Sequence, residues 1–582
     1  MKKTKIICTM GPTTDKPGLL LEMIKSGMDM ARFNFSHGEH AEQEVRIAMV
    51  RAAAREAGKP VALIADTKGP EMRLGIFKQG KVILTEDHEF CLTTEKIEGD
   101  ENISSVNYSG LPTELSVGDQ VLLNDGKLTL EVTKLASTKI YTKVIHGGEI
   151  SSRKRVAVPG VVLKLPFMSE QDKADITFAI EHNMDYIAAS FVQTQEDVIE
   201  IRKLLEEKHS TMGIIAKIES RDGVNNIDTI LQVVDGIMVA RGDLGVEIPA
   251  EEVPLVQKAI IAKCNKVGKP VITATQMLES MISNYRATRA EASDVANSIF
   301  DGTDVIMLSG ETASGEYPLE AVQTMNKIAV RTEEALDYVK IFRSKGIGAQ
   351  VNMTDAISHA TVQIAQELET DAILTITESG YTARMIAKYR PKATVIAVSP
   401  VEANIRRMQM YWGVKPLLGA QAKGTDELIE LSLQRAEEGK FLKEGDSVVV
   451  TAGMNVGKIG STNLIKVINL GTAIVHGVGI GKNAVIGIIC KVHGVEDLAK
   501  FKPGNIMLVS SIENEIAPYA AKASGIIAEE GGLTSSAAIV GINCGIPVIV
   551  GAVGAMDRLN DGQEVTLAVS SGSVYDGRIN IK

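Results

Sequence analysis

Polar side chains able to do chemistry recur in this chain at the ends of short apolar runs. Arg32, Asn34, Ser36 and His37 follow one such run, and Asp66, Thr67 and Lys68 follow the next. Lys217 and Glu219 close another, and Arg241-Gly242-Asp243, Thr275-Gln276 and Ser309-Gly310-Glu311 close three more. Glu219 and Asp243 are hard oxygen ligands, suited to a divalent ion that keeps several waters and binds substrate oxygens. Asn34, Ser36, Asp66 and Thr67 offer mostly neutral oxygens with one carboxylate, a set appropriate to a large monovalent cation. Arg32 and Lys217 bring positive charge beside them. Carboxylate-held metal with Arg and Lys is the apparatus that stabilises a migrating phosphoryl group, whose charge spreads over three oxygens. The run Gly477-Val478-Gly479-Ile480-Gly481-Lys482 has neither Walker A spacing nor a dinucleotide fingerprint, and reads as a turn or linker.

Side chains at strand ends need a scaffold that brings those ends together. Candidate strands are Thr4–Cys8, Met28–Phe33, Val61–Ala65, Tyr186–Ala189, Ile214–Lys217, Gly236–Ala240, Val271–Ala274 and Val305–Leu308. Helical stretches separate them. Ser169-Glu170-Gln171-Asp172 and Thr288-Arg289-Ala290-Glu291 are capping boxes, and Leu255–Lys266 stops at Gly268 and Pro270. The alternation predicts a (β/α)8 barrel over residues 1–66 and 166–342, whose C-terminal face would gather every polar cluster named above. An open doubly wound sheet gives the same alternation. Residues 67–165 differ in texture: Lys127–Thr133 alternates strictly after an Asn124-Asp125-Gly126 turn, which predicts an inserted all-β lid, a small β-barrel over the mouth. A second α/β domain is expected over 343–472, with strands at Ala372–Ile376, Val395–Val398 and Ser447–Thr451, and an extra unit over 473–582.

Bulk properties agree. The 582 residues are 45% hydrophobic and 23% charged, a globular composition, and the net charge of −11 argues against a broadly basic nucleic-acid surface. The five cysteines form no CxxC pair, which fits a reducing compartment. With no signal-like start and no apolar run of spanning length, the expectation is a cytoplasmic chain without membrane contact.

Several long motifs resemble pyruvate kinase. They are Ala31–Gly38, Asp66–Arg73, Ile215–Glu219, Met238–Gly245, Ala274–Leu278, Thr288–Glu291 and Met307–Thr312, all in the family's order within residues 1 to about 472. The resemblance implies transfer of a phosphoryl group from phosphoenolpyruvate to ADP, giving ATP and pyruvate, in a homotetramer requiring Mg2+ (or Mn2+) and K+. It implies that Lys217 stabilises the transfer, that Glu219 and Asp243 hold magnesium, and that Asn34, Ser36, Asp66 and Thr67 hold potassium. Arg32, Lys217, Gly242, Asp243 and Thr275 match substrate positions, with Arg32 and Thr275 also catalytic. Asn34, His37, Arg73 and Lys154 match nucleotide contacts, and Glu71 matches the acidic residue of potassium-dependent members. Arg155, Ala157 and Asn124 depart from the family, standing where Gly, Asn and Asp are usual. Thr377, Ser379 and Thr382 resemble an effector-phosphate loop, which implies activation by a phosphorylated metabolite. The last unit resembles the swivelling phosphohistidine domain of phosphoenolpyruvate synthases, with Ser536 where those enzymes carry histidine. A phosphoenolpyruvate-dependent phosphotransferase, a metal-dependent aldolase or a catalytically silent sensor are the competing readings; the first is disfavoured by Ser536, the second needs no potassium set, and the last needs a damaged metal site.

Overall fold

The computed structural model describes residues 2–161, 163–346, 352–419, 424–453, 462–471, 473–481 and 484–578. Its contacts divide into two compact units, one of Met1–Gln350, Glu378–Arg390 and Val401–Leu418, the other of Val351–Thr377, Pro391–Pro400 and Gly419–Lys582.

In the first unit, eight parallel strands close a barrel: β1 (Lys5–Thr9), β2 (Met30–Asn34), β3 (Ala62–Asp66), β4 (Tyr186–Ala189), β5 (Gly213–Ile218), β6 (Gly236–Ala240), β7 (Val271–Ala274) and β8 (Val305–Leu308). Every predicted strand is present, four of them with the expected ends. Alternation sorts each strand between two apolar layers. Ile7, Met30, Ile64, Ile215, Met238 and Ile272 fill the interior, while Ile6, Phe33, Leu63, Ile214 and Val239 face the helices. Both capping boxes form: the side chains of Ser169 and Thr288 accept from the backbone of Asp172 and Glu291. The helix Val253–Val267 ends on Gly268 at φ +69°, a left-handed turn only glycine takes without strain.

The rim opposite the polar clusters is held by a fourfold device. An aspartate immediately precedes each even strand, and its carboxylate accepts the N–H of the preceding odd strand. Asp29 serves Ile6 at 2.9 Å, Asp185 serves Leu63 at 2.9 Å, Asp235 serves Ile214 at 2.8 Å and Asp304 serves Val271 at 2.9 Å. Each carboxylate also meets a cation: Lys2 at 2.5 Å, Arg406 at 3.0 Å, Arg202 at 2.8 Å and Arg390 at 2.6 Å respectively.

The insertion between β3 and β4 is mainly β, a seven-stranded sheet with a two-stranded ribbon, and departs from the all-β expectation by one helical turn at Leu111–Glu114. Its strand Leu128–Leu135 alternates buried and open positions as expected, after a turn in which Asn124, Asp125 and Gly126 all have positive φ.

In the second unit, Thr394–Ser399, Ala372–Ile376 and Ser447–Gly453 run parallel, with Thr462–Asn469 antiparallel at one side. The last part is an eight-stranded sheet. Here the linker reading of the Gly477 region is corrected: Val478–Ile480 is a strand paired with Val548–Val550. Its glycines serve close packing, since a Cβ on Gly479 would lie 1.7 Å from the carbonyl of Val569. Lys482 lies outside the described residues.

The aspartates of the lower rim differ in exposure, which yields a graded expectation. The Arg390–Asp304 side chains are 6% and 9% exposed, whereas those of Arg202–Asp235 are 32% and 42% exposed. Asp304→Ala should cost about 3–5 kcal/mol by leaving a buried guanidinium unpaired. Asp235→Ala should lose little beyond its backbone bond, about 1 kcal/mol. Calorimetric unfolding checks this; equal drops in Tm would mean that the ion pairs contribute nothing.

Candidate active site

The C-terminal rim gathers the residues singled out by their strand-end positions. Asp66 ends β3 beside Asn34 of β2, the two being partners in register. The Asp66 carboxylate is buried and bridges two cations. Its Oδ2 pairs with Arg32 Nε, and its Oδ1 lies 3.0 Å from Lys217 Nζ. Lys217, near the end of β5, also lies 3.1 Å from Glu219 Oε1 and donates to Ser190 Oγ at 2.6 Å. Glu219 accepts the Phe191 N–H at 2.7 Å. Three strand ends are thus tied around one ammonium group.

Electrostatics follow from that geometry. Burial opposes the charged form of Lys217, but Asp66 and Glu219 outweigh it and hold the amine above its ordinary pKa. Burial would likewise raise Asp66; Arg32 and Lys217 reverse this and keep it ionised. Glu219 goes the other way. Burial, joined by repulsion from Asp243 and Asp66, pushes its carboxyl up to about 7 despite Lys217. Lys217 is therefore a fixed positive charge and no base, while Glu219 lacks enough positive charge around it.

This shortage bears on metal fit. Glu219, just after β5, and Asp243, in the helix Arg241–Glu247 after β6, repel each other across the mouth, as expected of two hard donors suited to a cation between them. Among the described residues no cluster of three His, Cys, Asp or Glu side chains gathers to hold a metal. Two carboxylates with water and substrate oxygens are the usual complement for magnesium, so the donor set suits that ion.

Around this centre, Thr275 has φ +67° and Gln276 φ +56°, a strained turn at the end of β7. It is braced by Arg241, which donates to the Thr275 carbonyl at 2.7 Å and pairs with Asp294 at 2.7 Å. Gly242 N–H donates to Thr275 Oγ1 at 2.8 Å, joining two substrate candidates. Ser36 N–H donates to Asn34 Oδ1 at 3.0 Å, and Thr67 Oγ1 accepts the Ser190 N–H at 3.3 Å. Glu311 closes β8 but turns inward, accepting the N–H of Ser309 at 2.7 Å and of Leu278 at 3.2 Å. It acts as a brace. In the nucleotide group, His37 is exposed, Lys154 is half-buried, and Arg73 pairs with Glu71 at 2.6 Å. Of the effector group, Thr377 belongs to the second unit, whereas Ser379 and Thr382 belong to the first.

Two residues at this rim escaped the reading of the sequence. Ser190 follows β4, where the strand-end rule already pointed. Its hydroxyl accepts from Lys217 and donates to the Thr67 carbonyl at 2.6 Å. Arg155, singled out only as a departure, reaches from the lid to Asp243.

The family model described as "Pyruvate kinase, barrel domain" matches residues 1–322, and "Pyruvate kinase, alpha/beta domain" matches 355–468. The chain belongs to the pyruvate kinase family. Relatives named pyruvate kinase from Sporosarcina psychrophila and Geobacillus stearothermophilus are each 48% identical to it over 100% of both chains. A crystal structure of a pyruvate kinase from Cryptosporidium parvum superposes with a TM-score of 0.77 at 38% identity, covering 80% of this chain and 96% of the other. A third family model, "PEP-utilising enzyme, mobile domain", matches residues 501–572. As a family member the chain is an enzyme, a phosphotransferase.

The Ser190 contact has a measurable consequence. Ser190→Ala removes a hydrogen bond to a charged group, worth about 1.5–3 kcal/mol, so kcat should fall by roughly 10–100-fold. Substrate KM should change much less. Steady-state kinetics decide it; a wild-type kcat would mean that the two carboxylates alone hold Lys217.

Proposed function

We propose that the chain transfers the phosphoryl group of phosphoenolpyruvate to ADP, giving ATP and pyruvate, at the upper rim of the barrel. The observation that carries this reading is the permanently charged Lys217, buried between Asp66 and Glu219 beside Asp243. Mg2+ (or Mn2+) held by Glu219 and Asp243, with K+ held by Asn34, Ser36, Asp66 and Thr67, would neutralise charge on the phosphoryl oxygens. Lys217 and Arg32 present fixed cations to the migrating phosphoryl group and to the enolate it leaves behind. They cost no reorganisation during reaction, since Asp66 already orients both. Thr275, whose Oγ1 accepts the Gly242 N–H, would assist proton delivery to the enolate carbon, and Gly242 and Asp243 would complete the substrate rim. Asn34, His37, Arg73 and Lys154 receive the nucleotide beneath the lid.

In this reading 1–66 and 166–342 are the catalytic barrel, 67–165 the lid, 343–472 a regulatory domain and 473–582 an accessory unit. Ser379 and Thr382 of the first unit bind the phosphate of an activating metabolite, and the enzyme works as a cytoplasmic homotetramer. No helix among the described residues is long and apolar enough to cross a membrane. A phosphohistidine relay is disfavoured because Ser536, exposed at the start of the helix Ser536–Cys544, offers no imidazole.

The full chain given phosphoenolpyruvate, ADP, Mg2+ and K+ should release ATP and pyruvate, and far less in buffer free of sodium and potassium. Lys217→Met should lower turnover by roughly 10²–10³ or more, the scale for losing a preorganised charge. Ser379→Asp should keep basal turnover but lose activation by phosphorylated metabolites. Wild-type rates from Lys217→Met would remove the basis of the reading.

Ion and proton compete for Glu219. Its raised pKa means that the protonated form dominates below about 7, so apparent Mg2+ affinity should weaken as pH falls, by up to tenfold per unit. Titration calorimetry at several pH values checks this. An affinity that stays flat from about pH 8 to pH 6 would place Glu219 outside the ion's shell.

A further inference from the structure

Arg155 sits on the short lid strand Arg155–Ala157, yet its side chain leaves the lid. Its Nη1 pairs with Asp243, its Nη2 lies 3.8 Å from Glu247, and its guanidinium stacks 4.7 Å from the ring centre of Phe191. One lid side chain therefore touches the helix Arg241–Glu247 after β6 and the loop after β4 together. The other lid ion pairs among the described residues stay within the insertion: Arg73 with Glu71, Lys78 with Asp100, Lys81 with Glu149, Lys143 with Asp87 and His146 with Glu86. Arg155 is 9% exposed in a segment whose neighbours Arg153 and Lys154 are open or half-open. A guanidinium so far out of water needs its carboxylate partners, and the carboxylate it takes is one of the two donors suited to the divalent ion. A divalent ion on Asp243 would stand close to this guanidinium, and repulsion between the two weakens the hold of each on the carboxylate.

We propose that Arg155 is a positioning residue that competes with the divalent cation for Asp243, so that ion binding and release of the lid from the barrel are one coupled event. The proposal rests on Asp243 being a metal ligand. Without the ion, Arg155 supplies the positive charge that Asp243 needs and pins the lid to the mouth. When the ion takes Asp243, the guanidinium loses its main partner and the lid gains freedom to admit nucleotide. A cavity of about 100 Å³ lined by Glu71, Arg155, Phe191, Ser220 and Glu247 gives the displaced group room, with Glu247 kept as its partner. Coupling between two binding events of this kind is usually 5–150-fold.

Mn2+ alone is the probe. Its binding to the full chain is titrated by electron paramagnetic resonance in wild type, Arg155→Ala, Arg155→Lys and Asp243→Asn, each checked for folding by circular dichroism. Arg155→Ala should bind Mn2+ at least fivefold more tightly than wild type. Arg155→Lys, which keeps the charge but cannot fork onto Asp243 and Glu247 while lying on Phe191, should bind more tightly by a smaller factor. Hydrogen exchange at the lid connections Gly69–Met72 and Ala157–Gly160 supplies a second readout. In wild type it should quicken when Mn2+ is added, and in Arg155→Ala it should be fast from the start. Wild-type affinity in both Arg155 variants, with weakened binding in Asp243→Asn, overturns the competition while sparing the metal site. Unchanged binding in Asp243→Asn overturns the assignment of that ligand, and the competition with it. Hinge exchange that responds to Mn2+ equally in wild type and Arg155→Ala also overturns the coupling.

Discussion

The barrel mouth depends on keeping one ammonium ion charged out of water. Desolvating Lys217 is unfavourable, and it stays protonated only because Asp66 and Glu219 approach to 3.0 and 3.1 Å and Ser190 takes a third position at 2.6 Å. Those contacts come from the ends of β3 and β5 and the loop after β4, so the barrel must be closed for the charge to be tolerated. The same closure orders Arg32, whose guanidinium shares Asp66 and donates to Thr9 Oγ1 at 3.1 Å. The charge at the mouth and the closure of the barrel are thereby the same interaction. Loosening the barrel would let water in and remove the preorganisation on which the proposed phosphoryl transfer relies.

Much of this was legible in the residues because it obeys two periodicities. Short runs of apolar, often β-branched residues located the barrel strands, and Ser169 and Thr288 marked helix starts through their capping partners three residues on. The strand-end rule then found Arg32, Asp66, Lys217, Glu219 and Thr275, because a parallel barrel delivers all its C-terminal ends to one face. Ser190 obeyed that rule and was passed over, as a lone serine carries little chemical signal beside Lys and Glu. What the sequence hid depended on tertiary approach. Gly477 and Gly479 look like linker glycines, yet they lie where the carbonyls of Val550 and Val569 leave no space for a Cβ, a fact of packing that no local pattern carries. Glu311 reads as a reactive carboxylate, but its oxygens are taken by backbone N–H groups of two loops.

The aspartates of the lower rim fall between these cases. Met28-Asp29, Met184-Asp185, Val234-Asp235 and Thr303-Asp304 each stand one residue before a strand, a spacing visible once strands are assigned. Their use is not visible, since each carboxylate must reach the backbone of the neighbouring strand and a cation far along the chain. The cations are Lys2, Arg406, Arg202 and Arg390, with no fixed sequence separation from their partners. Sequence periodicity identifies which end of a strand a carboxylate occupies. Long-range contacts decide whether it braces the fold or serves chemistry.

Comparing the two rims explains why one end of the barrel is inert and the other reactive. At the lower rim each aspartate has at least one cation and a backbone donor, so no carboxylate is left short of positive charge. At the upper rim, Asp66, Glu219 and Asp243 face two cations supplied by the barrel, Lys217 and Arg32. The third cation, Arg155, comes from the insertion. The deficit shows in Glu219, whose carboxyl is pushed up to about 7 although an ammonium group lies in contact with it. A site left short of positive charge inside a rigid frame favours whatever cation can enter. Because the insertion provides one such cation, Arg155, the lid and the proposed ion would both draw on the Asp243 carboxylate.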